Sequence, residues 1–208
     1  MKYSNNFSGK QLKLWNINSS EKEITDLIKA WVAVSAAFAI VLSSNFSDLY
    51  SKFIIASLTV GTGFLLHEMG HKFVAQRYGC FAEFRSFDQM LVLAIAMSFF
   101  GFIMAAPGAV MISGRINERK NGKISAAGPI VNLILALLFL MLGFLGPPAI
   151  LKQVAAYGFM VNSYLALFNM IPFWIFDGQK IIKWNKAAYF AILAVCIAFM
   201  MLRGFVAI

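Results

Sequence analysis

Residues 53–76 read FIIASLTVGTGFLLHEMGHKFVAQ. The run is long enough to cross a bilayer, which takes roughly 20 mainly apolar residues in a helix. It also holds the chain's only two histidines, in the pentad His67-Glu68-Met69-Gly70-His71. On a helix, residues i and i+4 project from one face. Two imidazoles so placed can take adjacent corners of a zinc tetrahedron, and the glutamate beside the first can act as base for a metal-held water. Ionisable groups are costly inside a membrane, so their presence there marks a functional site.

The rest of the chain suits that setting. Of its 208 residues, 60% are hydrophobic and only 13% charged, with mean hydropathy +0.74. These values exclude an ordinary soluble domain and predict an all-α polytopic membrane protein. Apolar segments near 27–44, 53–76, 90–112, 124–146, 154–176 and 187–206 predict about six membrane helices in a single domain, 27–208. Residues 1–26 form a polar, basic arm without the apolar core of a signal peptide. There, Trp15 with Leu12, Leu14 and Ile17 is expected to rest on lipid headgroups. Cys80 and Cys196 form no CxxC pair, so neither a redox site nor a cysteine-rich zinc site is indicated.

The net charge of +9 reads as a cytoplasmic loop bias rather than a nucleic-acid surface. Basic residues concentrate in the arm, in 72–88 (Lys72, Arg77, Arg85), in 113–123 (Arg115, Arg119, Lys120, Lys123) and after the fifth segment (Lys180, Lys183, Lys186), with Lys52, Lys152 and Arg203 elsewhere. The rich stretches are therefore assigned to the cytoplasm. Segment 90–112 then starts and ends on one side and cannot be a simple crossing. A helix broken near Pro107-Gly108, with an extended return through 109–112, makes a re-entrant element between the second and fourth segments. Such an element can offer an edge to an extended substrate. The other reading is an ordinary helix that breaks the charge rule at one loop.

A third ligand must come from elsewhere than histidine. Of nine acidic residues, only Glu68 and Asp177 lie within or at the end of a long apolar segment away from other charges. Asp177 follows Pro172, which interrupts the helix, and precedes Gly178, which permits a sharp turn. Counting about 14 residues from the far-side start of its span puts His67 roughly 21 Å in, in the leaflet where segment five ends. Glu83 and Asp88 compete only if their loop folds back. In Ala126-Ala127-Gly128-Pro129-Ile130-Val131-Asn132, the small residues allow close helix packing. Asn132 is placed either to hold substrate and help an oxyanion or to bond between helices, with Asn162 and Asn169 as weaker candidates.

Three motifs thus occur in order: Leu65-Leu66-His67-Glu68-Met69-Gly70-His71, Gly128-Pro129 with Asn132, and Asn169-x-x-Pro172 with Asp177-Gly178. Together they resemble the site-2 protease family of intramembrane zinc metalloproteases, over about residues 53–185. Phe176 and Gln179 depart from the residues usual beside the Asp-Gly pair, and neither is at a ligand position. The resemblance implies one zinc ion with a bound water, held by His67, His71 and Asp177, with Glu68 activating the water. It implies three core helices with extended structure between the first two, and a transmembrane substrate already trimmed by another protease. No PDZ or nucleotide-binding appendage is seen. The small chain suggests a prokaryotic cell membrane, with the site toward the cytoplasmic half. Two other classes stay open: an inactive zinc-binding protein that captures membrane helices, and a divalent-metal transporter. The intact Glu68 and the single three-ligand site weigh against each in turn.

Overall fold

The computed structural model describes residues 11–14, 17–103, 106–173 and 175–202; Trp15 and Arg203 lie outside them. A hairpin of β1 (Gln11–Leu14) and β2 (Ile17–Ser20) leads directly into α1 (Glu21–Leu42). Ser20 caps α1 by accepting the N–H of Glu23, the S-x-x-E signature of a helix start. Asn18 and Gln76 exchange hydrogen bonds of 3.0 and 2.8 Å, and Lys72 reaches Ser19 at 2.7 Å.

A short 3₁₀ turn opens a continuous helix: α2 (Leu49–Ala56), one π turn (Ser57–Gly61) and α3 (Thr62–Arg77). The π turn widens the ladder just ahead of the histidines. There the Ser57 carbonyl accepts from Trp31 Nε1 on α1 and from Thr62 Oγ1. Side chains thus serve a carbonyl at the place where the regular backbone pattern shifts.

Residues 90–112 are not one helix. α4 (Asp88–Ser98) is followed by β4 (Gly108–Ser113), which pairs antiparallel with β3 (Phe81–Ser86) in the register Phe84↔Val110 and Ser86↔Gly108. The stretch 81–86, expected to be loop, is therefore a strand. Gly108 is required by close approach, because a Cβ there would meet the Phe84 ring and the Arg85 carbonyl.

α5 (Glu118–Phe144) packs between α3 and α6 (Ala149–Asn169), and α7 (Asp177–Trp184) and α8 (Lys186–Leu202) close the bundle. Buried Ala126, Ala166, Met170, Ile181, Tyr189 and Cys196 join α5 through α8 in one core, and Ala30, Ala33, Phe84 and Leu91 join α1 to β3 and α4. Small residues set the α3–α5 spacing: a Cβ on Gly70 would lie 3.0 Å from Val131 Cγ2 and 3.2 Å from the Ala127 carbonyl.

The fifth apolar segment ends earlier than expected, at Asn169, and Asp177 opens a new helix rather than closing the old one. The carbonyl of Met170, freed by the break, accepts from Tyr189 Oη at 2.9 Å. Gly178 makes no left-handed turn; among the described residues positive φ occurs at Gly79, Gly101, Gly114 and Gly146. Its hydrogen side chain instead lets α7 lie on the backbone of Met170 and Ile171. Among the described residues, three helical stretches are long and apolar enough to cross a membrane, Glu21–Leu42, Phe46–Arg77 and Glu118–Phe144, while Asp88–Ser98 and Lys186–Leu202 are apolar but shorter.

Candidate metal centre

α3 presents two working faces about 100° apart, the angular step of one residue in an α-helix. His67 and His71 point at α5, whereas Glu68 and Lys72, one position on, point at α1 and the β3–β4 ribbon. On α5 the partners recur every fourth residue. The Ile124 carbonyl lies 2.8 Å from His71 Nδ1, and Asn132 Oδ1 lies 2.5 Å from His67 Nδ1. Gly128, between them, leaves the space the rings occupy. A Cβ there would sit 2.5 Å from His67 Nε2 and 2.5 Å from His71 Nε2.

These bonds settle the tautomers. A carbonyl only accepts, so His71 Nδ1 carries its proton. Asn132 Nδ2 donates to the Gly63 carbonyl at 3.2 Å and to Asn162 Oδ1 at 2.9 Å. Asn162 is itself oriented by donating to the Gly158 carbonyl at 2.9 Å. The Asn132 carbonyl oxygen therefore faces the imidazole, and His67 Nδ1 is the donor. Both Nε2 lone pairs are left pointing into the same space, 3.0 Å apart.

Asp177 completes the group. Its Oδ2 lies 3.1 Å from His71 Nε2 and 3.5 Å from His67 Nε2, while Oδ1 lies 3.6 Å from Lys180 Nζ. As the first residue of α7, the carboxylate also sits at the positive end of a helix dipole. Three buried lone-pair donors converge with no hydrogen of their own between them, an arrangement that calls for a cation. Ligands at zinc bond lengths of 2.0–2.1 Å stand about 3.3 Å apart in a tetrahedron. The observed separations match that spacing, so the residues present fit a zinc ion.

Among the described residues this is the one group of three or more His, Cys, Asp or Glu side chains able to hold a metal. The competing carboxylates stay away. Glu83 is buried against Arg85, and Asp88 is exposed beside Lys29 and Ser86. Asn169 bonds back to the Leu165 carbonyl of its own helix.

Glu68 is buried beside the donors, and its Oε2 accepts the Val110 N–H of β4 at 3.1 Å. Asn132 is fully buried and all its polar atoms are engaged. Neither amide hydrogen is left for a substrate, so the bonding of Asn132 between helices is the arrangement seen. Sequence reasoning did not reach the Ile124 carbonyl, the steric role of Gly128 or the strand bond to Glu68. The four-residue spacing of Ile124, Gly128 and Asn132, equal to that of the histidines, was the available signal.

The chain is 40% identical over 169 residues to a protein of Methanocaldococcus jannaschii named "Putative zinc metalloprotease MJ0611", spanning 80% of this chain and 86% of that one. A second protein of the same organism, named "Zinc metalloprotease MJ0392", is 28% identical over 120 residues, covering 57% of this chain and 30% of its own length. No family model matches the chain, and no solved structure is significantly similar to it. A buried His-His-Asp donor set in a helical, apolar chain, together with a relative this similar over most of both lengths, assigns the protein: it belongs to the zinc metalloprotease family of that archaeal relative.

Proposed function

We propose that the protein is an intramembrane zinc metalloendopeptidase of the site-2 protease kind, hydrolysing peptide bonds in or near the transmembrane segments of membrane proteins. The observation that carries this reading is the convergence of His67 Nε2, His71 Nε2 and Asp177 Oδ2 beside the Glu68 carboxylate, with both histidines and Glu68 on a helical stretch long and apolar enough to cross a membrane. When bound, zinc supplies Lewis acidity that makes water nucleophilic near neutral pH and polarises the scissile carbonyl. The protein supplies the rest. Asn132 and the Ile124 carbonyl hold the Nδ1 protons, so the Nε2 atoms stay available as ligands. Glu68 takes a proton from the attacking water and returns it to the leaving amine. The bond from Val110 N–H aims that carboxylate.

The substrate is expected to be extended. In the β3–β4 register, the Val110 N–H that reaches Glu68 points away from β3, so Gly108, Val110 and Ile112 turn their backbone groups to the same outer edge. A locally unwound substrate added along that edge would pass beside Glu68. In this reading the re-entrant element expected at 90–112 is built from α4 and β4. The six apolar segments form a multi-pass assembly in a prokaryotic cell membrane, and the site opens to the cytoplasmic half. The substrate has been trimmed beforehand by another protease.

The test is cleavage of a single-span test protein in detergent by purified wild type and Glu68→Gln. The reading expects chelator-sensitive cleavage by wild type and none by the variant at equal zinc content. Equal cleavage by both would exclude Glu68 as the base.

A further inference from the structure

The first turns of α1 hold two carboxylates that the metal chemistry does not use. Glu23 and Asp26 are buried, at 0% and 5% exposure. Glu23 Oε2 accepts from Lys72 Nζ at 2.6 Å, and its Oε1 accepts the Phe84 N–H of β3 at 2.9 Å. Lys72 is 1% exposed, lies one helical turn beyond Glu68 and is completed by Ser19 Oγ. Asp26 accepts from Ser86 Oγ further along the same strand.

Phe84 is the rung partner of Val110. The rung is therefore tied to the catalytic helix from both outer sides. Val110 N–H goes to Glu68, while Phe84 N–H goes through Glu23 to Lys72. A two-stranded ribbon is marginal by itself. Here α1 covers the β3 edge with a carboxylate acceptor where a third strand would lie, and on the β4 edge the Val110 N–H goes to Glu68.

A buried ion pair is weak evidence for stability, because burial of both charges offsets most of their attraction. Its geometry points to a different use. We infer that Glu23 is a positioning residue: through Phe84 it sets where the β4 edge stands relative to Glu68, and so where an extended peptide substrate is laid against the metal centre. The inference rests on the proteolytic reading above, but the ribbon's anchoring can be measured without it.

The experiment compares two double variants, both of which remove the buried pair. Glu23→Gln with Lys72→Met keeps a carbonyl oxygen for Phe84 N–H, whereas Glu23→Leu with Lys72→Met does not. Zinc content, hydrogen exchange of residues 81–86 and 108–113, and KM and kcat on the single-span test protein are measured for each. The glutamine double is expected to keep wild-type exchange and a KM within about twofold. The leucine double is expected to lose protection in the ribbon and raise KM about tenfold, equivalent to 1.4 kcal/mol, with a smaller change in kcat and zinc retained. Equal exchange and equal KM in the two doubles would overturn the inference. If neither wild type nor variants cleave, the proteolytic reading fails, and exchange alone decides the anchoring. Should the leucine double not fold, Glu23→Asp carries the same test, since it keeps Lys72 paired but draws the acceptor back by one methylene. An unchanged KM and ribbon exchange in that variant would equally overturn the inference.

Discussion

His67 Nδ1 stands 2.5 Å from Asn132 Oδ1, across the interface between α3 and α5. Because both amide hydrogens of Asn132 are spent on Gly63 and Asn162, this contact fixes the imidazole's tautomer as well as its orientation.

Asn132→Leu is therefore expected to weaken zinc binding about 10–100-fold, the usual cost of removing a partner that orients a metal-bound histidine. Competition with a chromophoric chelator measures it. An oxyanion donor would behave differently: kcat would fall while zinc affinity held.

Gly128→Ala is expected to abolish both stoichiometric zinc and activity, because the added carbon falls where the two Nε2 atoms meet. Gly143→Ala, further along the same helix, is the control. Its new carbon would lie 3.8 Å from Ala155 Cβ, in ordinary contact, and helix propensity favours alanine by up to about 1 kcal/mol. Metal analysis and thermal unfolding of both proteins check the contrast.

Lys72→Met alone leaves the Glu23 carboxylate buried without its cation. A destabilisation of about 3–5 kcal/mol is expected, as for other broken buried pairs. Adding Glu23→Gln should recover most of it. Unfolding midpoints in one detergent test this directly, and failure of the second substitution to restore the midpoint would show that packing rather than charge dominates.

Glu68→Gln should leave the metal site loaded while lowering kcat by about 10²–10⁴-fold, the range for a positioned general base. The amide oxygen can still accept from Val110 N–H, so the ribbon should stay in place. A KM unchanged within about twofold, beside the collapse of kcat, is the expected pattern.

Much of the donor set was legible because its spacing is local or its chemistry is scarce. The histidines are one helical turn apart, and Asp177 follows a proline break at the end of an apolar run. The helix-then-extended division of residues 90–112 followed from charge and from Pro107-Gly108; the extended return is present as β4, but the helix α4 stops at Ser98, well before the proline expected to break it. The strand at 81–86 was hidden because its charges, Glu83 and Arg85, pair with each other and so read as loop. Burial of Glu23 and Lys72 depends on a partner 49 residues away, which no local window contains. Gly178 was misread as a turn residue because a glycine needed for close approach looks the same in sequence as one needed for its dihedral freedom.

The central claim is a single zinc held by His67, His71 and Asp177. The most direct measurement is metal content with X-ray absorption on the purified, folded protein, alongside the variant Asp177→Ala. One zinc per chain is predicted, with a nitrogen and oxygen shell, two imidazole signatures and no sulfur, and with markedly weakened retention in the variant. A folded protein without stoichiometric zinc, or with a sulfur ligand, would contradict the account.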